Sequence, residues 1–266
     1  MRYAWLFGIL ILVNFAVLAS ALFLRKPMPL IPAATRQLIV ATADSWNSST
    51  VDVHRFERDG VTRAWRPVGQ TVLGNAGHTG LAPGLGILPA ARLGLSGQPE
   101  KAEGDNKTPA GIFRLGDVYG YEVADAPEVR ANNFIRLTKD WKGVDDGRSR
   151  YYNRVVDTAR VQVDWTSAEE MRRDDDLYSR VIVVGHNGAV PSLNDPEPTP
   201  GLGSCIFIHV WRSLNKPTAG CISLPFETMD AIAAWLDPAA RPVIVILPIA
   251  EYRRLAKDED NGLPLY

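Results

Sequence analysis

Short runs of β-branched and aliphatic residues, each closed off by a glycine or proline turn, constrain this chain more than any other feature. Leu38 to Ala41, Thr50 to Phe56, Val181 to Val184, Cys205 to Val210 and Pro242 to Leu247 are such runs. They are strand-length, and branched side chains pack well on a pleated surface. Val181 to Val184 is apolar throughout and reads as a buried strand; Cys205 to Val210 reads as the next. In Thr50 to Phe56, Val51, Val53 and Arg55 alternate with Asp52, His54 and Phe56, so one face is only partly apolar and His54 reads as a surface residue. Asp59-Gly60 suits a hairpin turn into Val61 to Val68. Gly104-Asp105-Asn106-Lys107-Thr108-Pro109-Ala110-Gly111 is a turn cluster with an Asx turn, leading into a short strand, Ile112 to Leu115. Helical signals are fewer. Ser167 and Glu170 stand at capping-box spacing and predict a short helix from Ser167 to Met171. Phe226 to Leu236 places Met229, Ile232, Ala233 and Leu236 on one side of a helix. The expected fold class is mainly β with a few short helices, a β-sandwich or mixed sheet with a barrel-like core.

The 266 residues carry a formal net charge of −1, which gives no basic stripe and so no nucleic-acid partner. An apolar content of 46% is enough for a core and argues against disorder. Tyr3 to Leu24 is apolar apart from Asn14, with Arg2 before it and Arg25-Lys26 after it. Two readings stay open. The run is long enough for an uncleaved membrane anchor of roughly 20 residues, and Ala19-Ser20-Ala21 has the small-x-small pattern of a signal-peptide cleavage site. Either way the rest of the chain is exported. The expected organisation is 1–25 signal or anchor, 26–35 proline-rich linker, 36–250 folded domain and 251–266 tail.

Gly69 to Leu95 holds Gly74, Gly77, Gly80, Gly84 and Gly86 but no phosphate-loop pattern, so it reads as a loop passing close to another backbone. His78 lies in it without an assigned partner. The four histidines, His54, His78, His186 and His209, show no metal-ligand spacing, so neither metal nor cofactor is expected. The chemistry concentrates instead in one segment. His209 sits on a predicted strand, and Cys221 follows twelve positions later in the turn Pro217-Thr218-Ala219-Gly220. A cysteine is intrinsically nucleophilic but needs a base or a lowered pKa to act as thiolate. The other cysteine, Cys205, reads as buried in mid-strand. A structural Cys205–Cys221 disulfide is the alternative, as exported cysteines tend to pair.

Three segments in order carry a resemblance. Gly104-Asp105-x-Lys107-Thr108-Pro109-x-Gly111-x-Phe113 comes first, then Trp141 to Asn153 with Asp145-Asp146 and Tyr152-Asn153. Gly203 to His209 with Thr218-Ala219-Gly220-Cys221 comes last. Together they resemble the L,D-transpeptidase catalytic domains (YkuD-like) of bacterial cell-wall synthesis, over roughly Arg36 to Leu247. The resemblance implies acyl transfer between peptidoglycan stem peptides, donor and acceptor, through a Cys221 thioester. His209 would hold the thiol proton, oriented by a backbone carbonyl. Backbone N–H groups of Gly220 and Cys221 would stabilise the oxyanion, a contribution of roughly 3–4 kcal/mol per donor. Carbapenem-type β-lactams would acylate the same thiol. His186, Asn187, Trp211, Thr218 and Ser223 are candidate substrate-binding residues, although a strand-end His186-Asn187 satisfied by backbone, and a Trp211 used for packing, remain equally plain readings. The chain departs from the family pattern at Ala219, where many members have histidine, and at Ser223, where arginine or asparagine is common; its His–Cys loop is also shorter. These departures bear on the donor pocket and on which bond is cut. Two rivals remain open: an L,D-carboxypeptidase or amidase that hands the acyl group to water, and a non-catalytic wall-binding module with the disulfide.

Overall fold

The computed structural model describes residues 28–60, 64–121, 134–193 and 196–266. The apolar run 3–24 lies outside them, and among the described residues no helix is long and apolar enough to cross a membrane. The strands are β1 (Gln37–Ala43), β2 (Thr50–Glu57), β3 (Arg66–Pro67), β4 (Val72–Asn75), β5 (Leu81–Pro83), β6 (Thr108–Gly120), β7 (Phe134–Arg136), β8 (Trp141–Val144), β9 (Arg154–Asp157), β10 (Ala168–Glu170), β11 (Arg180–Val184), β12 (Phe207–Val210), β13 (Ile222–Leu224) and β14 (Val243–Pro248). Two α-helices follow late in the described chain, α1 (Phe226–Trp235) and α2 (Ile249–Ala256).

The mainly β, mixed-sheet expectation holds. The large sheet runs β1-β14-β6-β11-β12-β13-β4-β2, and β2 pairs back with β1, so the sheet curls into a barrel-like core. A separate small sheet, β10-β8-β9, lies beside it. Every residue of β1, β11, β12 and β14 is buried, the continuous apolar pattern expected of strands covered on both faces. α1 buries Met229, Ile232 and Ala233 and ends at the buried Leu236. One interior cluster contains Ile208, Val210, Ile222 and Leu224; a second, on the opposite face of β12, contains Val181, Val183 and Phe207 with Met171 and Tyr178. Side-chain alternation along β12 therefore divides the two cores.

Several expectations are corrected. Ser167 to Met171 does not start a helix: Ala168–Glu170 ladders against Lys142–Val144, and the Ser167 hydroxyl donates to Asp145 instead of capping. The cross-strand pairing outweighs a local capping pattern. The short strand after the turn cluster is the middle of the much longer β6, which runs from Thr108 to Gly120; the Asx turn is present, with the Lys107 N–H donating to Asp105 Oδ1 at 2.8 Å. The glycine-rich stretch contains β4 and β5. It does pass close to another backbone, since a Cβ on Gly77 would lie 2.4 Å from the Asn106 carbonyl oxygen. The Asp59-Gly60 return is completed by β3, with Glu57 opposite Arg66; 61–63 lie outside the described residues. Cys205 is buried but precedes the strand, in left-handed backbone at φ 53°.

The segments read as linker and tail pack into the domain. Leu30 and Ile31 are core residues, and both their amides donate to the Asn261 carbonyl. Arg58 donates to the carbonyls of Pro32, Ala33 and Thr35. At the other end α2 buries Tyr252 and Leu255. His54, expected on the surface, is half-buried under Tyr266, with ring centroids 4.0 Å apart.

Candidate active site

β12 and β13 lie side by side and parallel, with His209 opposite Ser223. Paired residues share a face of the sheet, and every second residue returns to it. Cys221, two positions before Ser223, is therefore on the face of His209 and across from Phe207. The Phe207 N–H donates to Cys221 Sγ at 3.3 Å, and the thiol donates to the Cys205 carbonyl at 3.5 Å. His209 Nδ1 lies 2.7 Å from the Val210 carbonyl oxygen. A carbonyl only accepts, so Nδ1 carries the proton and Nε2 keeps its lone pair. The expected backbone orienter is thus the carbonyl of the next residue. Among the described residues no hydrogen bond joins Cys221 to His209 directly.

Adjacent parallel strands ordinarily need a long crossover; here an eleven-residue loop suffices because side chains tie it down. Buried Asn75 donates to the Ser213 carbonyl and Ser223 Oγ, and accepts from the Asn215 N–H. The Thr218 N–H donates to the Ala76 carbonyl, and the Thr218 carbonyl accepts from the His78 N–H. Thr218 Oγ1 donates to the Cys221 carbonyl and accepts from the Gly220 N–H. Gly220 has φ 151°, and a Cβ there would meet the Lys107 carbonyl oxygen at 3.0 Å, so the turn before the thiol requires glycine.

These contacts revise the candidate roles. The Gly220 N–H, expected for the oxyanion, is occupied by Thr218. Thr218 and Ser223 secure the loop, and Ser223 is buried. His186 does not share His209's end of the sheet: β11 and β12 are antiparallel with Val181 opposite His209, which sends the residues after Val184 to the other end. There His186 is fully buried, accepting the Leu85 N–H at Nδ1 and donating from Nε2 to the Leu202 carbonyl. Asn187 bonds Thr199 and Gly203. This backbone-satisfied reading is the one the geometry fits. Trp211 is partly exposed just beyond β12. Both cysteines are free, so the disulfide alternative is not realised.

Sequence reasoning missed Asn75, Asn153, Glu169 and Tyr178. Asn153 fixes the strained Cys205 by accepting its N–H at Oδ1 while donating to the His186 and Asn187 carbonyls. The Tyr178 ring stands edge-on to His209, centroids 5.3 Å apart, and its hydroxyl donates to Glu169 at 2.7 Å. The signal for Asn153 was its place in the Tyr152-Asn153 motif; Glu169 and Tyr178 carry no local signal.

Burial governs the electrostatics. It pushes the Cys221 thiol up to about 12, the Glu169 charge adding to the effect and the Phe207 N–H opposing it. It lowers His209 to about 4, against the Val210 hydrogen bond. Both shifts favour uncharged forms, so at rest the pair is thiol and neutral imidazole. Among the described residues no group of three His, Cys, Asp or Glu side chains is placed to hold a metal ion.

No curated protein matches the chain. Among solved structures, it is similar to the helical cell shape determining protein Pgp2 from Campylobacter jejuni, at 14% identity and a TM-score of 0.35, over 80% of this chain and 48% of that one. The chain thus spans about half the length of that structure, a likeness too distant to carry an argument. The YkuD family, the L,D-transpeptidase catalytic domain, matches residues 50–245, and the chain belongs to it.

Proposed function

We propose that this chain is a peptidoglycan L,D-transpeptidase in which Cys221 forms the acyl-enzyme and His209 moves the proton. The observation that carries the reading is the shared sheet face of Cys221 and His209, with Val210 holding Nδ1 and leaving Nε2 basic. Because the resting pair is neutral, the thiol proton passes to Nε2 as Sγ attacks the stem-peptide carbonyl. The imidazolium then protonates the departing amine. An acceptor stem amine next attacks the thioester and restores the thiol. Proton transfer by a placed histidine is typically worth roughly 10²–10⁴-fold. The Thr218 hydroxyl, which engages the Gly220 N–H at rest, must release it for that amide to meet the oxyanion. Carbapenems, with a strained amide carbonyl, are expected to acylate the same sulfur. Residues 3–24 would export the domain, leaving it in the periplasm if cleaved as a signal or held at the outer face of the bacterial inner membrane if kept as an anchor, and fractionation of the full-length protein checks this.

Incubation of the protein with disaccharide-peptide monomers should give cross-linked dimers and a small released group, read by mass spectrometry. Cys221→Ala should abolish both while retaining the fold, since no other side chain forms the thioester. Trimmed monomers alone would make water the acceptor; dimers from Cys221→Ala would overturn the reading.

A further inference from the structure

The charge of Glu169 reaches the candidate nucleophile. Its carboxylate accepts the Tyr178 hydroxyl at 2.7 Å, and the Tyr178 ring stands edge-on both to His209 at 5.3 Å and to Phe207 at 5.9 Å. Phe207 in turn donates its N–H to Cys221 Sγ. Carboxylate, imidazole and thiol are thus linked through Tyr178 and Phe207. Among the described residues no lysine or arginine pairs with Glu169. Arg173, whose charge reaches it, is itself paired with Asp175 at 3.2 Å. Asp145 and Glu103 add negative charge, and their hydrogen bonds come from hydroxyls: Ser167 to Asp145, Tyr152 and Ser204 to Glu103.

A carboxylate here hinders the first half of the reaction, since negative charge opposes thiolate formation. It suits the second half. The acceptor reaches the site as an ammonium, and only the neutral amine attacks a thioester. Burial also holds Glu169 above the ordinary carboxylate range, with the Tyr178 hydrogen bond opposing, which makes it the stronger proton acceptor.

We propose that Glu169 binds the acceptor ammonium and removes its proton, and so selects an amine over water as acceptor; this rests on the transferase reading above. One proton passes from the ammonium to the Glu169 carboxylate. The amine nitrogen then bonds to the thioester carbonyl carbon, and the carbon–sulfur bond breaks. The second nitrogen proton travels through His209 Nε2 to the departing Sγ, and Glu169 returns its proton to solvent. Product, thiol and one released proton account for every atom.

The test uses full-length wild type, Glu169→Gln and Glu169→Asp, with acylation of Cys221 followed by intact mass and the fate of the acyl group by muropeptide analysis. Glutamine keeps an oxygen for Tyr178 and removes the charge. In Glu169→Gln, acylation should be as fast as in wild type or faster, while the ratio of dimer to trimmed monomer falls about tenfold or more, the worth of a charge-assisted hydrogen bond. Glu169→Asp should recover part of the ratio. Hydroxylamine, uncharged at neutral pH, should intercept the acyl-enzyme equally well in wild type and variant. An unchanged dimer ratio in Glu169→Gln, or an equal loss with hydroxylamine, overturns the assignment. A wild type never acylated at Cys221 overturns the transferase reading itself, and the mass measurement registers that separately.

Discussion

The Val210 carbonyl sets what His209 can do. By accepting the Nδ1–H hydrogen bond it fixes one tautomer and presents Nε2 as a base. Burial keeps that base weak, at about 4, and the thiol high, at about 12. Thiolate is the reactive form, so alkylation of Cys221 in the free protein should be slow at pH 7. It should climb close to tenfold per pH unit through pH ~10 without a plateau. Iodoacetamide kinetics with peptide mapping check this, and a plateau reached by about pH 6 would reveal a resting ion pair instead. Cys205, buried and with its thiol pushed well up by that burial, should stay unlabelled in the native state. Cys221 and His209 were legible in the sequence because few residue types do nucleophilic and acid–base work. The Val210 orienter was not, because a main-chain carbonyl has no letter of its own. Glu169 was hidden by a misread helix, and only the β8 ladder shows where its side chain goes.

At the scale of elements, the His–Cys loop depends on β4. Asn75 lies far from the loop in sequence yet bonds Ser213, Asn215 and Ser223. Asn75→Ala strands three partners, of which Ser223 is buried and Ser213 and Asn215 are exposed, and should cost about 2 kcal/mol in urea denaturation. Acyl transfer should fall more than the lost stability explains, because the thiol is carried by the loosened loop. Equal activity in a destabilised but folded variant would show that the loop holds itself. The apolar runs β1, β11 and β14 were readable because burial on both faces writes an unbroken pattern. β4, β5 and β10 were not: they are three or four residues long, and partners elsewhere in the chain define them.

For the whole molecule, two buried neutral histidines make stability depend on pH. Burial lowers both His186 and His209 to about 4 from an ordinary 6.5. Between those values the unfolded chain takes up protons that the folded chain refuses. Stability is therefore full above about pH 6.5 and falls as pH drops toward 4, by roughly 3 kcal/mol per histidine. Denaturation midpoints at pH 7 and pH 4.5 measure it, and His186→Gln should flatten the slope by about half. Equal midpoints at the two pH values would contradict the burial of both rings.

The barrel closes between β13 and β4 through a single pair, Ser223 opposite Asn75, whereas β1 and β14 share six. The thinnest rung of the ring lies beside the Cys221 sulfur, where the Asn75 side chain reinforces the few backbone bonds that Thr218 makes to Ala76 and His78. A backbone ladder changes little when one residue is exchanged, but a junction made of an asparagine and a serine can be recut by one substitution while the rest of the barrel stands. That junction anchors the loop ending at Cys221, so a change there reaches the candidate nucleophile without passing through the rest of the barrel.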